Sequence, residues 1–199
     1  GQPHSLILWG PPGVGKTTIA RAIAASSDAS FEQLNAVTDG IKDLRAVIER
    51  AEQRQQMGRR TLLFVDEVAR WNKAQQDALL PYVESGVIVL VGATTEHPGR
   101  EINRALMSRL KLYTLDDLRE DALREIAERA LTDPERGVIT ELNPGAAPLE
   151  LSDEALEHLL LHAGGDARML LNGVEAAAAL LPDGGCITLE LAQQASGSR

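Results

Sequence analysis

The chain of 199 residues holds a single cysteine and only two each of tryptophan, tyrosine and phenylalanine. A lone thiol, Cys186, cannot close an internal disulfide, and no Cys/His spacing suited to a metal occurs. A disulfide scaffold and a zinc fold are therefore excluded, and a reducing compartment, the cytoplasm, is expected. With so few rings, base stacking is a poor main route to a nucleic acid. No apolar run approaches the length of a membrane span, so a membrane role is not expected; no secretory leader is visible, which carries little weight in a chain that starts so close to its first core strand. Positive charge is also short, with 20 Lys and Arg against 29 Asp and Glu and a net charge of −9. That excludes a uniformly basic binder of nucleic acid but not a local basic stripe. Lys42, Arg45, Arg50, Arg54, Arg59 and Arg60 lie close together, whereas the acidic excess follows Asp116, which points to two parts with different duties. No internal repeat is present. The chain opens at Gly1, just before its first apolar run, and reads as an excised piece of a longer protein.

Against these absences stands one run of nine residues. Gly10, Pro11, Pro12, Gly13, Val14, Gly15, Lys16, Thr17 and Thr18 follow the apolar residues Leu6, Ile7, Leu8 and Trp9 and precede a helix-forming stretch. This is a phosphate-binding loop (Walker A) in its proper strand-to-helix setting. Its glycines let the backbone aim N–H groups at a polyphosphate, and the following helix adds its positive end. Lys16 has the reach for the β- and γ-phosphates, and the Thr17 hydroxyl suits Mg²⁺. The expected ligands are ATP and Mg²⁺.

A second run, Leu62, Leu63, Phe64 and Val65, ends in Asp66 and Glu67. A buried strand that delivers acids to the carboxyl edge of a parallel sheet is placed where such folds bind ligands. Asp66 would hold Mg²⁺ opposite Thr17, and Glu67 would polarise the attacking water. A passive nucleotide scaffold has no need of that second acid, so hydrolysis is the better expectation. Thr94 and Thr95 follow another apolar strand expected beside the first, where a hydroxyl can hold the water or sense the γ-phosphate.

The coarse pattern gives strands at residues 5–9, 31–35, 61–65, 87–93 and 112–115. Helices are expected at 15–26, 41–57, 74–82 (interrupted late by Pro81) and 103–109. Continuous apolar strands alternating with helices predict an α/β fold, a P-loop NTPase αβα parallel sheet, over residues 1–115. Residues 116–199 read as a small α-helical lid with helices at 117–131, 153–162 and 167–181. The Pro/Gly-rich stretch 133–148 reads as an exposed loop or hairpin. Of the four histidines, His158 and His162 share a helix face and His4 and His97 stand apart. No carboxylate or cysteine completes a metal or acid–base set around them, and surface or packing roles are expected.

The order of the P-loop, the Asp66-Glu67 strand, Gly92-Ala93-Thr94-Thr95, Ser108-Arg109 and Gly164-Gly165-Asp166-Ala167-Arg168 resembles the AAA+ ATPases, specifically their clamp-loader clade. The stretches 4–13, 63–68, 72–78 and 92–96 are similar to the replication-associated recombination protein A family, whose eukaryotic relative is the Werner-helicase-interacting ATPase. The likeness covers essentially the whole chain. It implies that Thr95 is the first sensor, that Arg109 is the arginine finger reaching a neighbour's ATP, and that Arg168 is the second sensor on the γ-phosphate. It further implies a bacterial, nucleoid-associated ATPase acting on DNA at forks, gaps or ends. A homo-oligomer built through a C-terminal domain missing from this chain, and replication partners such as single-strand-binding protein, follow from the same likeness. Ala69 and Trp71 stand where the family carries His and Phe, and Met169 where a second arginine is common. The segment before the first strand, which forms part of the family's adenine pocket, is also missing.

For DNA contacts, Lys42 and Arg45 lie three apart on one helix, and Arg70 and Lys73 have the same spacing on the next. Phosphate contact and a solvated, salt-bridging face both fit, since Asp43, Glu49 and Glu52 are interleaved. Three rival functions stay open: a clamp-loader subunit or Holliday-junction branch-migration ATPase, an ATP-gated assembly scaffold with little turnover, and a P-loop kinase. The Asp66-Glu67 pair and Arg168 argue against the kinase.

Overall fold

The structure, a computed structural model, describes residues 3–133, 137–138, 149–181 and 184–197. The chain divides into two compact units, Gly1–Asp116 and Asp117–Arg199. In the first unit five strands form one sheet: β1 (Leu6–Trp9), β2 (Ser30–Asn35), β3 (Thr61–Asp66), β4 (Val89–Thr94) and β5 (Lys111–Thr114). Their order is β2-β3-β4-β1-β5 and every pairing is parallel. Helices α1 (Lys16–Ser26) and α2 (Ile41–Gln56) supply the first two crossovers.

The central strands β1, β3 and β4 are largely apolar because both of their faces are covered. Leu6 and Leu8 of β1, Leu62 and Phe64 of β3, and Val91 and Ala93 of β4 pack with Ala20 and Ala24 of α1. Their neighbours in sequence, Ile7, Leu63, Val65 and Leu90, point the other way and pack with Leu44, Val47, Ile48 and Ala51 of α2. At Gly92 a side chain is excluded, since a Cβ there would lie 2.5 Å from Ile7 Cδ1 and 3.0 Å from Val68 Cγ1. At the sheet's outer border Arg50 and Arg54 of α2 both reach Glu32 of β2 at 2.7 Å. The Arg50 hydrogen bond holds the Glu32 carboxyl below its ordinary range.

Between β3 and β4 the chain departs from the expected single helix at 74–82. A one-turn 3-10 helix (Val68–Arg70) is followed by α3 (Lys73–Asp77) and α4 (Leu80–Glu84). Asn72 starts α3 by accepting from Gln75 N at 3.0 Å, and Pro81 occupies the first turn of α4, where its missing N–H costs little. The break therefore precedes Pro81. Arg70 and Lys73 consequently fall on different elements, separated by the extended Trp71 and Asn72, which corrects their placement on one helix face. Two short helices, α5 (Pro98–Glu101) and α6 (Arg104–Met107), lead to the exposed edge strand β5.

The second unit contains α7 (Glu120–Thr132), β6 (Leu149–Leu151), α8 (Asp153–Ala163), α9 (Ala167–Ala178), β7 (Gly185–Ile187) and α10 (Leu189–Gly197). Leu123 and Ala127, Leu156 and Leu159, and Leu170 and Val174 bring three of these helices around one core, with Ile187 of β7 inside it. Strands β6 and β7 pair in parallel, and neither they nor α10 are visible in the sequence pattern, because three-residue strands carry no alternation. Ser152 caps α8 and Asp166 caps α9. Gly164 ends α8 in the left-handed region at φ 54°. The stretch 133–148, expected as loop or hairpin, lies almost wholly outside the described residues.

Candidate active site

The chain leaves β1 for the far edge, returns through β3 and β4 to β1's flank, and then adds β5 on β1's other side. That reversal makes the carboxyl end of β1 the switch point of the sheet, where a crevice opens for ligands. The loop from Gly10 to Gly15 emerges there. Gly10 N donates to Thr94 O at 3.2 Å, fixing the loop to the end of β4. A Cβ at Gly10 would sit 2.4 Å from the Leu115 carbonyl oxygen, so the loop passes too close to β5's exit for any side chain. Gly13 and Gly15 take left-handed φ of 71° and 93°, which turns the backbone around on itself.

Lys16, the first residue of α1, is 9% exposed, and its ammonium donates to Gly10 O and Pro11 O, both at 2.8 Å. The side chain thus lies back across the loop. No described side chain caps α1, and its first turn holds no acid, whereas α8 begins with its Ser152 cap, Asp153 and Glu154. The amino end of α1 keeps its positive potential for an anion outside the helix.

Strand β4 separates β1 from β3, so Asp66 stands about 10 Å across the sheet from the loop's strand. Its Oδ1 accepts from Glu67 N at 3.1 Å. Glu67 is a non-glycine residue in the left-handed region, at φ 50° and ψ 44°. This turn sets its carboxylate beside Thr95, whose hydroxyl donates at 3.3 Å to Oε2 and whose N–H lies 3.4 Å from the same oxygen. The two threonines separate clearly. Thr94 is fully buried and its Oγ1 accepts from Glu96 N at 3.0 Å, whereas Thr95 faces the acid. Thr17 and Asp66 offer only hard oxygen donors, a set that fits Mg²⁺.

One of the expected residues, Arg109, is not part of this cluster. Arg109 precedes β5, whose Lys111 is in register with Leu6, so it lies at the amino edge of the sheet with the length of β1, roughly 10 Å, between it and the P-loop edge. It pairs there with Glu84 at the end of α4. Nothing in sequence spacing flags Glu84, which is brought to Arg109 by the fold alone. Arg168 belongs to the second unit, where its N–H donates to Asp166 Oδ1 at 2.7 Å and its exposed guanidinium has no partner among the described residues of that unit.

Of the candidate DNA contacts, Lys42, Arg45 and Lys73 are exposed and enter no ion pair among the described residues. Arg70 is tied to Glu96 at 2.8 Å, linking the loops after β3 and β4. Trp71 is buried, and its indole N–H donates to Asp39 O at 2.9 Å, which anchors the loop before α2. His97 lies edge-on to Trp9 at 4.9 Å, and the His158 and His162 rings are 4.1 Å apart. Among the described residues no group of three or more His, Cys, Asp or Glu gathers as a metal site, and no helix is long and apolar enough to cross a membrane.

The sequence profile described as ATPase family associated with various cellular activities (AAA) matches residues 6–115, from β1 through the P-loop and Glu67 to the end of β5. The chain belongs to this AAA family. Within it, the chain is 47% identical over 175 residues to replication-associated recombination protein A of Escherichia coli K12, a match that covers 88% of this chain and 38% of the relative. It is 43% identical over 173 residues to the Bacillus subtilis protein of the same name and 42% identical over 173 residues to ATPase WRNIP1 of Dictyostelium discoideum. Those two matches cover 87% of this chain, and 39% and 19% of the relatives. The chain therefore spans well under half the length of these curated relatives. Among solved structures, the Thermotoga maritima RuvB Holliday junction branch migration motor superposes with a TM-score of 0.74 at 24% identity, covering 96% of this chain and 60% of that one. At that identity the likeness concerns the AAA fold.

Proposed function

We propose that the chain is the ATP-binding and ATP-hydrolysing module of a replication-associated recombination ATPase that acts on DNA at stalled or gapped forks. The juxtaposition of Glu67 with Thr95, one strand away from the P-loop, carries the hydrolytic part of this reading. The recombination part is supported by the 47% identity to a protein of that name. The backbone N–H groups of the loop and the amino end of α1 bind the phosphates. Lys16 leaves its two carbonyl acceptors for the β- and γ-phosphate oxygens. Thr17 and Asp66 would hold Mg²⁺, which supplies charge neutralisation on those oxygens when bound. Glu67 accepts a hydrogen bond from the attacking water, and Thr95 keeps the Glu67 carboxylate aimed at it. Arg109, at the opposite edge from its own P-loop, completes the site of a neighbouring copy, and Arg168 bears on the γ-phosphate from the helical unit, which acts as a lid. An arginine fork neutralises charge that spreads over the phosphoryl oxygens in the transition state. Assembly into a homo-oligomer and contact with replication proteins belong to the same reading of the longer relatives.

The test is ATP turnover of the full-length protein that carries this module, with and without forked or gapped DNA, as wild type and as Glu67→Gln. Turnover that rises with DNA and falls at least about 100-fold in the variant, with ATP affinity kept, is the expected result. ATP binding without Glu67-dependent turnover would replace the motor with an ATP-gated scaffold.

A further inference from the structure

The amino edge of the sheet carries a cleft of about 430 Å³ whose lining includes Ser5, Arg60, Glu84 and Arg109. The Arg109 guanidinium is held in it at several points. Nε donates to Glu84 Oε1, and Nη1 donates both to Ala105 O and to Ser108 Oγ at 2.8 Å. Ser108 is itself fixed, its hydroxyl donating to Ala105 O at 2.8 Å. A guanidinium has five N–H donors in one rigid plane. Nε and Nη1 account for three of them, and the two on Nη2 have no partner among the described residues.

We infer that Glu84 is the positioning residue for Arg109, clamping the guanidinium plane so that Nη2 is presented to a phosphate on another molecule. The inference rests on the reading of Arg109 as a finger acting in trans. The way the contacts are shared supports a clamp rather than a lock. A carboxylate that competed with phosphate would take Nη2 as well, as Glu32 does by accepting from both Nε and Nη2 of Arg50. Glu84 instead accepts from Nε alone, and backbone and hydroxyl oxygens take Nη1. Holding a long side chain in one rotamer before the partner arrives removes ordering entropy from the catalytic encounter. The clamp is modest, since the Arg109 and Glu84 side chains are 41% and 48% exposed.

The experiment compares steady-state ATP turnover of the full-length protein as wild type, Glu84→Ala, Glu84→Gln and Arg109→Ala, at concentrations where activity per molecule has reached its plateau. Glu84→Ala is expected to lower kcat by about threefold to fivefold with KM and ATP affinity unchanged, because the residue lies at the far edge from its own P-loop. Glu84→Gln keeps an amide oxygen for Nε and is expected to recover most of the loss. Arg109→Ala is expected to lower kcat by at least about 1,000-fold. Thermal melting of each variant checks that the fold is retained. If Arg109→Ala is inactive while Glu84→Ala equals or exceeds the wild type, the clamp is wrong and the finger stands. A Glu84→Gln variant as poor as Glu84→Ala also overturns the clamp, because charge and not geometry would then be at work. Wild-type turnover in Arg109→Ala, or no turnover in the wild type, overturns the reading of the finger or of the ATPase and takes the clamp with it.

Discussion

Gly10→Ala is the substitution whose cost follows most directly from the backbone. The added methyl would lie 2.4 Å from Leu115 O, 3.0 Å from Leu115 Cβ and 3.1 Å from Leu115 C. Two of those three atoms are backbone, and Leu115 N is itself held to Trp9 O at 2.7 Å, so no side-chain rotation relieves the contact. The loop or the exit of β5 must move by about an ångström, at a cost of about 2 kcal/mol. For a unit of this size that lowers its melting temperature by roughly 8 °C. The displacement also breaks nucleotide binding, because Gly10 O is one of the two acceptors for Lys16 and Gly10 N ties the loop to Thr94. Gly58→Ala is the matched control. It has nothing within 4 Å but a φ of +73°, so it costs about 1 kcal/mol through backbone strain alone and leaves nucleotide affinity intact. Differential scanning calorimetry and ATP-analogue titration read both quantities. A Gly10→Ala variant with the wild-type melting temperature and affinity would refute this account of the loop's packing.

The helical unit loses stability in acid through His158. Burial of the ring, aided by the charge of nearby His162, lowers its pKa below the ordinary 6.5, and its buried Nε2 has no partner among the described residues. The unfolded chain then takes up the proton first, so stability falls as pH drops through about 6.5, down to the point where the folded ring also protonates. Urea midpoints at pH 7.5 and 5.5 should differ more for the wild type than for His158→Leu. On DNA, the double variant Lys42→Ala/Arg45→Ala should weaken binding uniformly across sequences and reduce the slope of log affinity against log salt by about 2. Arg70→Ala, whose charge is already paired with Glu96, should change that slope by less than either single alanine variant.

Most of the sheet was legible because it is covered on both faces. The runs at β1, β3 and β4 are apolar throughout, and their acids and hydroxyls cluster where the runs stop. The P-loop and the Asp66-Glu67 pair are local in sequence, so their spacing carries them. What the pattern missed depends on contacts across long sequence separations or on very short elements. The split of 74–82 into two helices turns on Asn72 accepting the α3 amide, which competes with helix propagation through Trp71. Strands β6 and β7 join residues as distant as Leu149 and Gly185 with three residues each, too few to show a period. Glu84 became visible only when the fold brought it to Arg109. Residue spacing alone left Thr94 and Thr95 equal and only the family likeness named Thr95; the turn that spends the Thr94 hydroxyl on Glu96 N is a contact no spacing shows.

The P-loop and Arg109 occupy opposite edges of one sheet, and that separation constrains any assembly in which both are used. A contact that joins the carboxyl edge of one copy to the amino edge of the next is head-to-tail, using two different surfaces. Repeated, it either closes into a ring or leaves two unlike ends. In an open arrangement one terminal copy has a P-loop with no arginine facing it, and the other has an arginine with nothing to face. The complete sites then number one fewer than the subunits, and the two ends differ chemically even though every chain is the same. In such an assembly, a polarity of this kind would let identical subunits mark a beginning and an end.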